Sequence, residues 1–343
     1  MKTKAKFFLL LFILVFGASA ALAQKVATTS MQFLKVMPCA RATALGDAYS
    51  SWASGAEAVF WNPAGVAFIQ NQEITTTYIN WIFDAQQGAF AYARPFFDIG
   101  ALGLQIQYID YGTFEEAVLY RPDIKEITNP GLTGREFHPF SYVVGLTYAK
   151  TLTERFSTGI TFKFAHESLF SESTVRALNP NNGIEQDVNT YGNAYLFDFG
   201  IRYNTGFRTI QVAAAVQNFG PEIEYALEKN SAPLLFRVGV AADLAGPNSL
   251  LLENEDNRLG VAFDLFQPND FDIQAHTGIE YEYAHTVALR MGYKYNYDSE
   301  GFTAGAGFYQ TIGNVKYSVD YSYGAIGNYL GSAHRLSLGI GIQ

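Results

Sequence analysis

Residues 331–342 alternate with a period of two. Leu336, Leu338, Ile340 and Ile342 fall on one face of an extended chain, and Arg335, Ser337, Gly339 and Gly341 fall on the other. The same dyad runs back to about Glu73. Phe156, Thr158, Ile160, Phe162 and Phe164 oppose Ser157, Gly159, Thr161 and Lys163. Val287, Leu289, Met291, Tyr293 and Tyr295 oppose Ala288, Arg290, Gly292 and Lys294. Turn residues cut this zone into about fourteen segments, near 73–81, 86–95, 100–111, 139–150, 155–168, 190–204, 207–218, 233–243, 258–267, 271–283, 285–297, 302–311, 314–323 and 332–342. Most reach the roughly 9–11 residues that cross a bilayer at a tilt. One face suits lipid and the other water, which predicts an all-β fold: a transmembrane antiparallel β-barrel. A soluble sandwich would alternate too, but its outward face should be rich in Lys and Glu. Here the polar face is mostly Gly, Ala, Ser and Thr with isolated charges, as a water-containing lumen would allow.

The connections predict a topology. An even strand number puts both barrel ends on one side. If that side is periplasmic, the long connections 112–138, 169–189 and 219–232 point outward, and most of the others are tight. The acidic stretch 244–257 breaks the rule, implying either a slipped strand count or a loop that meets a periplasmic partner. Aromatic residues gather toward strand ends (Tyr293, Tyr295, Tyr297; Tyr317, Tyr321, Tyr323), where barrels place interfacial girdles.

The first 72 residues do not alternate. Lys2, Lys4 and Lys6 precede an apolar stretch over 7–16, and Ala21-Leu22-Ala23 is a small-residue cleavage site. Residues 1–23 therefore read as a cleaved export signal, with the mature chain starting near Gln24. Residues 24–72, rich in Ala, Gly and Ser, predict short helices and turns that plug a barrel spanning 73–343.

Composition agrees with this outline. Hydrophobic residues make up 49% and charged residues 16%, against about 25% charged in a typical soluble domain. The net charge of -9 and the lack of basic clusters argue against nucleic acid as a partner. The one cysteine, Cys39, reads as a small buried side chain. No G-x-S-x-G, H-E-x-x-H, P-loop or paired cysteines occur, so the chain reads as non-enzymatic, with no cofactor and no metal. Of the histidines, His276 and His334 are expected on the inward face as polar lining.

The zone before the barrel carries the specific motif. Phe33-Leu34-Lys35 is followed by Ala40-Arg41-Ala42, by Gly46-Asp47-Ala48-Tyr49, and by Phe60-Trp61-Asn62-Pro63-Ala64-Gly65. This run resembles the N-terminal signature of the PorV/PorQ family, which is similar in turn to FadL-type channels that share the Asn-Pro-Ala-Gly element. The resemblance implies a FadL-like barrel of about fourteen strands with a small helical plug, in the bacterial outer membrane. It also implies a role in type IX protein secretion, docking a large translocon barrel or secreted cargo. The alternative is a FadL-like passive channel for hydrophobic small molecules, which would take a lipid or detergent-like ligand. In either case outer-membrane lipid surrounds the barrel.

Three groups of residues are candidates for the site. In the plug turn Asn62, Pro63, Ala64 and Gly65, proline extends Asn62, the Asn side chain bonds local backbone, and Gly65 is expected at positive φ. A lumen charge network is expected from Arg202, Arg237, Asp264, Glu280, Arg290 and Arg335, with Glu280 opposite or diagonal to Arg290 across a tight turn. An apolar pocket at the plug is expected from Phe33, Phe60, Trp61 and Phe68.

Overall fold

The computed structural model describes residues 28–118, 131–178, 183–225 and 228–342. The predicted signal over 1–23 lies outside them, as does Gln24. Fourteen strands form the barrel wall: β1 (Glu73–Asn80), β2 (Gln86–Phe96), β3 (Gly100–Asp110), β4 (Phe140–Thr153), β5 (Phe156–Ser168), β6 (Tyr191–Asn204) and β7 (Gln211–Phe219), then β8 (Leu235–Gly246), β9 (Asn257–Pro268), β10 (Gln274–Tyr283), β11 (Val287–Tyr295), β12 (Glu300–Ile312), β13 (Val315–Ile326) and β14 (Ser332–Ile342). Each pairs antiparallel with its sequence neighbour, and β1 pairs with β14 from Glu73↔Gly341 to Asn80↔His334, so the sheet closes. Closure removes the free edges that an open sheet would present.

The dyad sets the faces. Leu289 and Met291 are each 57% exposed while Arg290 between them is 2% exposed. The long connections after β3, β5 and β7 share one end of the barrel. They carry antiparallel hairpins over Phe114–Val118 and Gly131–Phe137, Thr174–Leu178 and Glu185–Asn189, and Ile223–Tyr225 and Glu228–Asn230. The parallel stack of Phe137 on Phe170 and the Arg135–Glu172 ion pair at 2.6 Å tie the first two hairpin connections together.

The connection after β8 stays on the short-turn side, so the strand count does not slip. Its length has a structural reason. β7 is shorter than β8, and their pairing ends at Gln211↔Ala241. That leaves one edge of β8 bare to Gly246. The loop folds back and covers it: Leu252 and Glu253 pair parallel with Ala245 and Gly246, and the Leu250 and Leu251 amides donate to the Asp243 and Leu244 carbonyls.

Short helices thread the lumen: Gln32–Lys35, Ala40–Ala44, Ala58–Trp61 and Pro63–Phe68. Among the described residues the chain enters at the long-loop end, where the Ser30 amide donates to the Ser231 carbonyl, and leaves into β1 at the short-turn end. Leu45, Tyr49, Val59, Phe60 and Trp61 are buried against wall alanines such as Ala91, Ala93, Ala149 and Ala241. The small residues of the inward face therefore seat the plug directly. The expected watery lumen is instead packed, and a Cβ at Gly292 would sit 2.1 Å from the Gly46 amide nitrogen.

Two orientations differ from expectation. His334 points outward between Tyr321 and Tyr323 because it precedes the inward Arg335. Tyr297 turns inward instead of joining a girdle, with its hydroxyl 2.8 Å from His276 Nε2.

Candidate functional site

The plug turn is fixed by its own chemistry. Proline at the first position of the Pro63–Phe68 helix requires an extended residue before it, and Asn62 has φ −153° and ψ 106°. Its Oδ1 accepts from the Ala64 amide at 3.1 Å. Its Nδ2 donates to the Ser50 carbonyl at 3.1 Å and to the Ile201 carbonyl of β6 at 3.2 Å, joining plug segment, turn and wall. Gly65 is not at positive φ. Glycine is needed there for space: a Cβ would lie 2.1 Å from the Ala53 carbonyl oxygen. Gly200 leaves the same kind of space for the Asn62 side chain.

Of the six lumen charges, the structure brings two into one ion-pair cluster. Glu280 faces Arg290 in register, and the pair closes at 2.5 Å. Arg290 also holds Asp320 at 2.6 Å and reaches the Tyr309 hydroxyl. Arg41 of the plug grips Glu280 through both carboxylate oxygens, at 3.0 and 2.8 Å. Arg258 completes the cluster, pairing with Glu280 and, at 2.8 Å, with Asp243. The remaining four act singly. Asp264 accepts the Tyr49 and Ser50 amides. Arg202 donates to the Ala53 carbonyl and lies 4.5 Å over Phe68. Arg237 is sandwiched between Phe266 at 4.1 Å and Trp61 at 5.0 Å. Arg335 lies 5.1 Å over Trp81. Each ties plug or rim to wall.

Sequence reading missed the roles of Arg258, Asp270, Gln217 and Asn218, while Lys294, Lys163 and Asp198 were expected on the inward face. Arg258 shares parity with Gly260 and Asp264, which would have placed it inward. Lys294 pairs with Asp47 of the Gly-Asp-Ala-Tyr run at 2.6 Å. At the long-loop end Asp270 binds Lys35 at 2.6 Å and also accepts from Thr29 and Gln32. Burial opposes its charge, yet these partners hold its carboxyl below the usual range. In the strand β7, Asn218 adopts φ 63° and shifts the register against β6, so both Gln217 and Asn218 turn inward. Gln217 Nε2 then donates to the Phe60 carbonyl at 2.7 Å, and the Asn218 amide donates to Asp198, which pairs with Lys163. Cys39 is buried, and its thiol donates to Glu57 at 2.8 Å.

The expected aromatic pocket is divided. Phe60 and Trp61 are buried within the plug core and line no cavity described here. Phe68 lines a polar cavity of about 320 Å³ at the short-turn end, with Arg41, Glu57, Glu73, Lys316 and Asp320. Phe33 lines a larger apolar cavity of about 560 Å³ at the long-loop end, beside Trp81, Ile82, Ile109, Phe114 and Leu169. The two cavities share no lining residue. Beside the apolar one the wall is unbroken: β2 pairs with β3 from Phe96↔Gly100 to Gln86↔Asp110, and β3 with β4 from Ala101 to Asp110. Among the described residues no cluster of His, Cys, Asp and Glu is arranged to hold a metal.

Solved structures with the same architecture include a transporter and a FadL homologue. The toluene transporter TodX of Pseudomonas putida superposes with a TM-score of 0.54 at 13% identity, over 88% of this chain and 96% of its own. A FadL homologue of Pseudomonas aeruginosa gives 0.51 at 12% identity, over 89% and 98%. At such identities the likeness concerns the fold. No curated protein matches the sequence. The profile described as type IX secretion system protein PorV matches residues 19–268, most of the chain. This outer-membrane barrel belongs to the PorV family.

Proposed function

We propose that this barrel serves protein secretion by the type IX system, offering its long-loop end to a translocon or to cargo as a docking surface. The observation that carries this reading is the packed lumen. A plug anchored at both ends and bonded to β6, β9 and β10 leaves recognition to the loops and rim. Two of the three hairpin connections above the rim are cross-tied and so present a preformed surface, which lowers the ordering cost of docking. The test is a crosslinked affinity capture of the tagged protein from native outer membranes, read by mass spectrometry. A very large barrel protein or C-terminally tagged cargo should co-elute, and Arg135→Glu, which breaks the tie to Glu172, should reduce its yield. A protein that elutes alone would count against docking.

A second reading, passive passage of hydrophobic small molecules, is favoured by the apolar cavity at the long-loop end. It requires the cavity to connect onward, and the continuous pairing of β2, β3 and β4 offers no gap there. Uptake of a hydrocarbon into proteoliposomes above the rate of empty vesicles would support it.

A further inference from the structure

The lipid face of the wall is almost free of charge. Of the lysines and arginines on the fourteen wall strands, only Arg94 of β2 and Lys150 of β4 point outward; the others, Lys163, Arg237, Arg290 and Arg335 among them, share parity with the lumen. The lipid-facing carboxylate of the wall, Asp110, is at the far end of β3. The two cations are neighbours near the short-turn end. β2 and β4 flank β3, which sets their backbones about 10 Å apart. Arg94 pairs with Leu102, and Leu102 with Tyr148, two residues before Lys150. Tyr148 leans across Gly100 of β3, its hydroxyl donating to the Ile99 carbonyl at 2.7 Å. Glycine is needed there, since a Cβ would lie 2.5 Å from the Ala149 carbonyl oxygen and 3.0 Å from the Tyr148 ring. A tyrosine at this level marks head-group depth. Arg94 Nε donates to the Pro95 carbonyl at 3.3 Å, and neither cation forms an ion pair among the described residues. The turns beyond add Asp98, Glu154 and Arg155, so the patch stays net positive. Toward the midplane the same face is apolar, with Leu102, Leu104 and Leu146 side by side. Long basic side chains at such a depth reach out to the interface, and a phosphate there would supply the missing counter-charge.

We propose that Arg94 and Lys150 bind the phosphate of an anionic phospholipid in the leaflet at the short-turn end, with its acyl chains lying along Leu102, Leu104 and Leu146. Short turns face the periplasm in outer-membrane barrels, so this is the periplasmic leaflet. The site is on the outer wall, and its failure would leave the secretion reading untouched.

Leu104→Trp supplies a local probe, two residues from Leu102 toward the midplane. Trp52 and Trp61 are buried in the plug and Trp81 is at the long-loop end, so quenching is read against the protein without the added ring. The full mature protein is reconstituted in mixed vesicles of phosphatidylglycerol and phosphatidylcholine, with brominated chains on one lipid or the other. Leu289→Trp, on β11 across the barrel, reports the ordinary lipid shell. At Leu104→Trp phosphatidylglycerol should be preferred more than about tenfold, and at Leu289→Trp hardly at all. Arg94→Gln and Lys150→Gln should each lower the preference about fivefold, and together bring it to the Leu289→Trp value. Lys229→Gln, an equal change of net charge in an outer hairpin, should leave it unchanged. Millimolar inorganic phosphate, which has no chains, should not displace the lipid. Heat-dependent gel migration reports whether each variant has folded. Equal preference at both reporters, as expected of a patch kept for a protein neighbour, would overturn the proposal. So would a preference indifferent to both glutamine variants, or displacement by inorganic phosphate.

Discussion

Glu57 sits in the plug with the Cys39 thiol as its hydrogen-bond donor and with Asp320 of the wall close by. Burial, reinforced by the charge of Asp320, pushes its carboxyl up to about 7 from an ordinary 4.5. The folded chain therefore keeps a proton that the unfolded chain releases. The stability this group contributes is full below about 4.5 and is lost as pH rises through about 7. The plug should accordingly become easier to unfold between mildly acid and neutral pH, and Glu57→Gln should flatten that slope; urea titrations at stepped pH, read by plug tryptophan emission, check this. If the variant keeps the wild-type slope, the proton belongs elsewhere. Glu280 presents the opposite case, a carboxylate with three arginine partners and a side chain fully removed from solvent. Glu280→Ala would leave Arg290 buried without its nearest counter-charge. A cost of roughly 3–5 kcal/mol is expected for breaking such a pair from one side. Equilibrium unfolding from vesicles would measure it, and a loss under about 1 kcal/mol would mean that water already screens the cluster.

At the scale of elements, the loop after β8 makes a sharper claim. It exists because β7 ends early, and its backbone covers the stretch of β8 beyond Ala241. Replacing 248–256 by a two-residue turn should therefore expose amides over 245–246 to fast hydrogen exchange, while those over 235–241 and the Asp243 amide, which donates to Thr209 Oγ1, stay protected. Unchanged protection at 245–246 would reject the edge-covering role. This loop also shows where sequence legibility stops. The fourteen wall strands were readable because each has a lipid face and a lumen face, and a period of two records that division. The edge-covering loop and the hairpins above the rim separate no two solvents, so no alternation marks them. Within the strands, parity alone would have found Arg258, whereas the plug partner Arg41 answers to no period. The aromatic residues Phe33, Phe60, Trp61 and Phe68 illustrate a further limit. All four look alike in composition, but whether a ring fills a core or lines a cavity depends on what lies across from it. Only Phe33 faces the apolar space. Glycine carries a similar ambiguity: Gly65 was expected to serve backbone conformation and instead serves close approach to Ala53.

For the whole molecule, what matters is that the wall faces two different media while the plug removes water from one of them. Outward positions such as Leu289 and Leu338 stand in lipid, so they obey membrane energetics; inward positions meet packed protein, so they obey core energetics. Arginine at Leu289 should cost about 2–4 kcal/mol if the site lies near the bilayer midplane. The inward neighbour Ala288 is fully buried, and there a larger side chain must displace packed protein, at about 1–3 kcal/mol through strain. The two penalties differ in kind and can be separated by varying the lipid. Thinner bilayers bring Leu289→Arg closer to the interface and should relieve its cost, while Ala288→Leu should be indifferent to chain length. Folding titrations in vesicles of short and long acyl chains make the comparison. If both variants respond alike, or if Leu289→Arg is neutral in the thicker bilayer, the assignment of faces fails. The separate lipid surface and sealed interior, on which the docking proposal rests, would then fail with it.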